Sequence, residues 1–433
     1  MLEVKTAALP ASLRRTNQRT VISLIFRMDT ASRADLAKAA GISQPTAGKI
    51  IGELLELGIL EEADASPPNH AGSDTGNGKP RLGRPGQLLR LDDQRLRFLA
   101  IAVGVTRTSI SALPVAAPLK DQWAVEFTTP DSPDGWVREL EKASKKLPKF
   151  QPWGALISVP GIADEAAGKV LFCPNLHWLE NTDLPGLVQQ IYRAPALLVQ
   201  EIRALALGHL TAEVTAQHFF LVDFGQGVGG AIVSEGKLDS HSMPLSGEFG
   251  HTPVAGNSRP CGCGAVGCLE TLVSQPGLLE SFAAAYALKA PPWEMLVTHL
   301  AEHGLEPWLS DTLDATAKII AGALNVLGIN RVVVTGVLTE LPGFVFDRLA
   351  NEIQKGALWA RFGEVICQRA PRRRAAGLVT IGIDRLLLPA NDDAGQFREI
   401  FKSAGKVQPL GSARPACASP RSKSKPRHQT VGA

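Results

Sequence analysis

His251-Thr-Pro-Val-Ala-Gly-Asn-Ser-Arg-Pro-Cys261-Gly-Cys263-Gly-Ala-Val-Gly-Cys268-Leu-Glu270 brings one imidazole and three of the chain's six cysteines into a single run. At this spacing four soft or borderline ligands can close a tetrahedral shell around one zinc ion. Such a shell leaves no position open for water, so the metal should fold a loop rather than do chemistry. Gly262, Gly264 and Gly267 let the backbone turn tightly enough for the sulfurs to converge. The competing reading is a chance cluster of buried thiols beside a surface histidine.

Outward from this loop, 433 residues with 45% hydrophobic content fit two or three domains, each able to bury its own core. A net charge of +3 excludes a protein that coats nucleic acid with its whole surface. Any DNA contact must come from a locally basic element. The N-terminus lacks the basic-then-apolar order of a secretory signal, and the longest apolar stretch, Phe98 to Val105, is far short of a membrane span. A cytoplasmic location is expected, with no membrane contact and with Cys173, Cys367 and Cys417 reduced.

From Asn17 to Leu60 apolar residues recur at helical spacing in three blocks, each with start and stop signals. Val21, Leu24 and Ile25 stripe the first. Ser32 caps the second with Asp35 in a capping-box relation, Leu36 and Ala40 face the core, and Gly41 ends it. Ser43 caps the third, Pro45 sits in its first turn, and Ala47, Ile50, Ile51 and Leu54 form its buried face. Gln44, Thr46, Gly48 and Lys49 then point outward, the face a recognition helix turns to a major groove. Gln44 and Thr46 are the candidate base readers and Lys49 the candidate phosphate contact, with Ser43 and Arg33 beside them. Arg14, Arg15 and Arg19 are expected ahead of the first helix. Ile59–Glu62 and Gln87–Leu91 can pair as a wing around a Gly/Pro-rich insertion of about residues 63–86. In it, Arg81-Leu-Gly-Arg84-Pro85 is similar to arginine hooks for a narrow minor groove, or is a solvated linker. The whole unit, residues 1–91, reads as a winged helix-turn-helix, against the plainer alternative of a small helical bundle.

After Asp92 the pattern changes to apolar strands at Phe98–Val103, Trp153–Val159, Ala196–Val199, Phe219–Phe224 and Arg331–Thr335, separated by helical stretches. Residues 92–390 therefore read as α/β, in two lobes with a cleft between them. Residues 391–433 dissolve into Gly, Ser, Pro and basic residues, a tail expected to be disordered.

Glu248-Phe-Gly-His251, followed by the cysteine run to Glu270, resembles the ROK family of repressors and sugar kinases. The resemblance extends to Gly83-Arg84-Pro85, to Pro174-Asn175-Leu176 and to the glycine loop Gly225-Gln-Gly-Val-Gly-Gly230. It implies an actin-like, ribonuclease-H-like sugar-kinase fold with a structural zinc at His251, Cys261, Cys263 and Cys268. It also implies that Glu248 and Glu270 bind sugar hydroxyls, that His251 bridges sugar and zinc loop, and that Asn175 is a further candidate. Carboxylates suit vicinal hydroxyls because they accept paired hydrogen bonds with direction.

The chain departs from the family's kinases where they handle phosphate. An Asp-x-Gly-Gly-Thr turn is expected, and the chain has Ala102-Val-Gly104-Val105-Thr106, without the carboxylate and with a branched side chain where phosphate needs bare backbone. Gln226 replaces a threonine in the glycine loop, and Thr335-Gly336 stands where paired glycines are expected. Glu201 takes the place of the catalytic aspartate, one methylene too long, and remains a candidate sugar contact. Arg203 replaces an asparagine; it reads more simply as a helix-surface arginine, with a pairing to Glu201 as the alternative. The expectation is a regulator, not an enzyme: a homodimer or homotetramer that binds a DNA operator and senses a sugar or sugar derivative. Two alternatives stand beside it, a degenerate sugar domain answering to a protein partner and an ATP-dependent sugar kinase.

Overall fold

The computed structural model describes residues 10–63, 87–116, 124–213, 216–239 and 247–388, with the side chains of residues 10–12 left aside. The expected hook with Lys79, Arg81 and Arg84, the tail past 390 and Cys417 lie outside the described residues.

Helices run over Pro10–Met28, Arg33–Ala39 and Gln44–Glu56. The second and third begin where a side chain satisfies an orphan amide. Ser32 Oγ accepts from the Asp35 N–H at 3.2 Å while the Asp35 carboxylate accepts from the Ser32 N–H at 3.3 Å. Ser43 Oγ accepts from the Thr46 N–H at 3.3 Å. Ala47, Ile50, Ile51 and Leu54 are buried, as the period requires. In the second helix Ala37, not Ala40, is buried with Leu36, because Ala40 is already the C-terminal cap. The first helix starts well before Asn17 and takes in the three arginines expected ahead of it. Each is engaged: Arg14 with Glu53, Arg15 Nη2 donating to the Asp384 carbonyl at 3.3 Å, and Arg19 with the Asp384 carboxylate. Leu60–Glu62 pairs antiparallel with Leu88–Leu91, and Ala31–Ser32 adds a third strand on the other side. Two residues carry no periodicity, so that strand had no signal in the sequence.

Two five-stranded sheets follow. The first has the order Ala196–Gln200, Gly154–Val159, Phe98–Val103, Arg107–Leu113, Ala124–Thr128. The second has the order Lys237–Leu238, Val228–Ser234, Phe219–Phe224, Arg331–Gly336, Ile366–Arg369. Each combines parallel inner pairs with an antiparallel hairpin. The inner strands are continuously apolar because both their faces are covered. Their carboxyl ends open towards one cleft.

Two helices cross between the sheets, Glu201–Ala212 and Arg374–Gly382, the latter continued by a π-turn over Ile383–Leu387. Their backbones touch: a side chain at Gly377 would run into the Ala204 carbonyl, and one at Gly208 into that of Arg373. The core of the N-terminal unit continues without a break into the first sheet and this helix pair, since Ile25, Leu54, Leu91, Phe98, Val199 and Ile381 share one cluster. The connection is a folded turn. Buried Asp92 accepts from the Gln94 and Arg95 amides, both at 3.1 Å, and pairs with the Arg95 guanidinium at 2.8 Å. Among the described residues no helix is long and apolar enough to cross a membrane.

His209, on the first crossing helix, is 1% exposed, packs edge-on against Phe219, and has a hydrogen-bond partner at neither ring nitrogen. Burial pushes its pKa down to about 4, with nearby Arg373 and Arg331 acting in the same direction. The folded state therefore refuses a proton that the unfolded chain accepts near pH 6.5, and stability is lost as pH falls from about 6.5 towards 4. His209→Leu is expected to raise stability by about 1 kcal/mol at pH 7, by removing unsatisfied polar atoms. It should also flatten the acid limb between those pH values in urea unfolding. An unchanged limb would show that other groups set it.

Candidate functional site

The cleft between the sheets has a volume of about 390 Å³. Its lining includes Asn175, Glu201, Glu248, His251 and Glu270, so the five residues expected at a sugar site, drawn from distant parts of the chain, share one cavity. Arg33, Ser43, Gln44, Thr46 and Lys49 are all exposed on the N-terminal unit and take no part in this cavity. Ser43 and Thr46 are bonded to each other through their hydroxyls at 2.8 Å, so the pair serves the helix start as well as its exposed face.

Glu248 precedes the short 3-10 helix Phe249–His251, and the Phe249 ring anchors this turn against Phe220 and Phe224 at centroid distances of 5.5 and 6.3 Å. Gly247, at φ 95°, is pressed on the Gly230 backbone, where no side chain would fit. Glu248 Oε1 accepts from Gln200 Nε2 at 3.4 Å. Burial, and secondarily the charge of Glu270, push the Glu248 carboxyl up to about 7. Glu270 opens the helix Glu270–Val273, and its Oε2 accepts from the Val228 amide at 2.8 Å, which ties the loop to the second sheet.

The ligand atoms of His251, Cys261, Cys263 and Cys268 all lie within 4.8 Å of one another. Cys263 and Cys268 sulfurs are 3.8 Å apart, and Cys261 Sγ is 3.6 Å from His251 Nδ1. Ligands on one tetrahedral zinc would stand about 3.8 Å apart sulfur to sulfur and about 3.5 Å sulfur to nitrogen, from metal distances of about 2.3 and 2.0 Å. The donors thus fit a single metal ion. The other ring nitrogen, His251 Nε2, lies 3.8 Å from Glu248 Oε2, so the imidazole spans metal loop and cleft. The loop also abuts the opposite wall: a side chain at Gly262 would press on Pro174 and the Asn175 amide.

Glu201 lines the cleft, but Arg374 holds its carboxylate. Burial alone would raise this carboxyl, and Arg374 and Arg372 outweigh it, so it lies below its ordinary range. Arg203 does not pair with Glu201. Arg203 Nε instead meets Glu165 Oε1 at 3.0 Å, a carboxylate shared with Arg385 and with the Gln200 amide. Side chains one and three places into a helix point to different faces, and Arg203 is turned away from the cleft.

Sequence reading missed Asp223, Arg372 and Arg374. Arg372 clamps Asp223 with two hydrogen bonds of 2.7 and 2.8 Å, and Thr335 Oγ1 donates to the same carboxylate at 2.7 Å. Burial works against the Arg372 charge, but Asp223 more than offsets it and raises its pKa above the ordinary value. The guanidinium stands directly over Gly225 and Gly336, in the space bare backbone would offer to a phosphate. Only a visible Pro371-Arg-Arg-Arg374 run ahead of a helix hinted at this; its partners are more than a hundred residues away.

Residues 98–379 match the model of the ROK family. The chain is 28% identical over 277 residues to the xylose repressor of Caldicellulosiruptor bescii, a match covering 62% of this chain and 66% of that relative, just under two thirds of its length. It is 23% identical over 389 residues to the xylose repressor of Bacillus subtilis, covering 87% of this chain and 97% of that one. Among solved structures, a ROK family transcriptional regulator described as a homologue of the Escherichia coli MLC protein superposes with a TM-score of 0.67 at 18% identity. That superposition covers 86% of this chain and 96% of the other. The chain belongs to the ROK family.

Proposed function

We propose that this chain is a sugar-responsive DNA-binding regulator, of repressor type, acting in the cytoplasm and transferring no phosphate. Residues 1–91 are the DNA reader, a winged helix-turn-helix whose third helix offers Gln44 and Thr46 to base edges and Lys49 to phosphate, with Arg33 beside them and Arg84 as a minor-groove hook. Residues 92–390 are the sensor and 391–433 a basic tail. A zinc ion held by His251, Cys261, Cys263 and Cys268 supplies a fixed cross-link. That cross-link sets the angle of the His251 ring and the start of the Glu270 helix. Glu248 and Glu270 accept from ligand hydroxyls, with the Asn175 and Gln200 amides beside them. On the phosphate side Ala102 brings no carboxylate and Arg372 fills the approach to the glycine loop, which argues against ATP.

One observation carries the coupling of sensor to reader. The helix that begins with Arg374 in the cleft ends in the π-turn whose Asp384 is gripped by Arg15 and Arg19 of the first helix. The reader thus sits on the crossing helix pair as well as on the first sheet, with which it shares a core. A ligand that prefers the closed cleft shifts the reader only through its differential affinity for the two states.

Calorimetric titration against free and phosphorylated hexoses, pentoses and N-acetyl sugars, followed by release of duplex DNA by the sugar that binds, tests the reading. Silence across the panel, or ATP-dependent phosphorylation of a sugar at enzymatic rates, overturns it. For the reader, Lys49→Ala is expected to weaken binding about equally on all duplexes and to reduce the salt slope by about 1. Gln44→Ala should instead relax base preference at one position by about 1–3 kcal/mol. Fluorescence anisotropy at several salt concentrations separates the two, and sequence-blind losses for both would reverse the assignment.

A further inference from the structure

Pro160 and Gly161 stand in the wall of the cleft, and so do Cys173, Pro174 and Asn175. Between these two stretches the chain leaves the cavity and returns to it as a narrow antiparallel hairpin, Ile162–Asp164 paired with Lys169–Phe172. Both roots of the hairpin therefore belong to the ligand cavity, while its tip is carried away from it. Side-chain bonding shapes the tip: Asp164 Oδ1 accepts from the Ala166 and Ala167 amides at 3.1 and 2.9 Å, and Gly168 turns the chain at φ 66°. This turn presents Glu165 to the two crossing helices.

There the Glu165 carboxylate is held on every side. Its Oε1 accepts from the Gln200 amide at 3.0 Å and pairs with Arg203 Nε at 3.0 Å, both at the start of the first crossing helix. Its Oε2 pairs with Arg385, in the π-turn that ends the second. The side chain is 10% exposed, so its attraction for two guanidiniums is little screened. Each partner leads further. Gln200 turns its side chain into the cleft, where Nε2 meets Glu248 Oε1 at 3.4 Å. Arg385 adjoins Asp384, the residue gripped by Arg15 and Arg19 of the first helix. A purely structural ion pair needs neither roots in a ligand cavity nor a neighbour that seats the reader.

We infer that Glu165 is the positioning residue through which occupancy of the cleft reaches the reader. It touches neither ligand nor DNA. A sugar bound against the roots of the hairpin changes the angle at which the hairpin leaves the cleft, and the tip then shifts Arg385 and with it the seat of the first helix. Such a link transmits only if its far end has two settings that the sugar favours unequally. The π-turn supplies them: it holds one residue more than the α register needs, and turns of this kind recur at functional sites. The inference rests on the proposed sugar-responsive reading, to which it adds a residue outside both the sugar site and the reader.

The test is the ratio of DNA dissociation constants with and without saturating sugar, measured by fluorescence anisotropy. The probes are D-glucose, D-xylose, N-acetyl-D-glucosamine and their phosphates, with duplex DNA selected by the wild-type chain from a random-sequence pool. In the wild type a sugar that binds is expected to weaken DNA binding at least about tenfold. Glu165→Gln should bring that ratio below about twofold, while sugar affinity alone and DNA affinity alone each stay within about threefold of wild type. A residue that merely held the fold would lower both affinities and the melting temperature and leave the ratio standing. The double variant Glu165→Gln/Arg385→Gln removes a guanidinium together with its counter-charge. It should fold as the wild type does and couple no better than the single variant, since both changes break the same link.

Hydrogen exchange gives a readout without DNA: sugar should alter amide exchange across Pro10–Met28 in the wild type and not in either variant. A folded variant that releases DNA as fully as wild type overturns this inference and leaves the proposed function standing. A first helix that responds to sugar in the wild type and not in the variants supports it even where the chain binds no DNA, a result that would sink the proposed function instead. A wild-type first helix indifferent to bound sugar overturns it.

Discussion

Cys268→Ser is expected to cost the protein its metal and most of its ligand affinity together. Cys268 is 1% exposed, and its backbone carbonyl accepts from Asn257 Nδ2 at 3.0 Å, so the residue stands where loop, metal and the Glu270 helix meet. Besides the candidate metal ligands, Asn257 and Arg259 hold the stretch between His251 and Cys268, their side chains donating to Thr271, Gly277 and Ser281. Its sheet-like contacts are the isolated bridges Pro253–Cys268 and Pro260–Val266, and its chain turns on Gly256, Gly264 and Gly267 at positive φ. Structural zinc contributes about 10–16 kcal/mol of binding free energy in small zinc domains, and the proposed zinc would add energy of that kind to this loop. Without it His251 and Glu270 lose their settings. Zinc content by elemental analysis should fall from about one per chain towards zero, and the melting temperature should fall on the order of 10 °C. Affinity for the sugar identified by titration should drop by two orders of magnitude or more. Full zinc content or unaltered affinity in the variant would separate the loop from the site.

Glu270→Ala should abolish measurable sugar binding while leaving the metal in place. The substitution removes the proposed acceptor for ligand hydroxyls and also strips the Val228 amide of its partner, loosening the turn that carries Gly227. Together these losses amount to about 3 kcal/mol, or a hundredfold in affinity. Glu201→Gln provides the contrast. Its carboxylate is committed to Arg374, so affinity should change by less than about threefold, whereas stability should fall because Arg374 is left without its counter-charge. Calorimetry and thermal melting of the two variants separate the roles. A larger affinity loss in Glu201→Gln than in Glu270→Ala would exchange them.

The sites of these two predictions differ in how visible they were. The loop from His251 to Cys268 was legible because its candidate ligands are close in sequence and chemically unusual, so spacing alone constrained the geometry. Ser32, Asp35, Ser43 and Pro45 were equally legible, because helix starts are set by side chains within one turn of the amides they satisfy. The strands Phe98–Val103 and Phe219–Phe224 declared themselves through continuous apolar character. Arg107–Leu113, Ala124–Thr128 and Val228–Ser234 did not, since alternating serines, exposed edges and glycines blur the period. Ion pairs were the least readable. A pairing of Arg203 with Glu201 stood as an alternative from their nearness in sequence, but a helix projects those side chains to different faces, and the partners are Glu165 and Arg374.

By itself the sequence determined the local chemistry of this protein: four side chains able to hold a metal ion, the capped helices of the N-terminal unit, two glutamates flanking a cysteine run, and a first turn without the carboxylate a phosphate site needs. Tertiary structure alone decided what that chemistry is connected to. It set Arg372 over the glycine loop, locked Glu201 with Arg374, and seated the first helix on Asp384 at the far end of the crossing helices. The physical reason is range. Caps, turns and metal loops are satisfied within a few residues and leave a pattern in the order of the chain. Charge pairs and helix-to-helix contacts join positions more than a hundred residues apart, and their partners are fixed only when the two sheets and the helices between them pack.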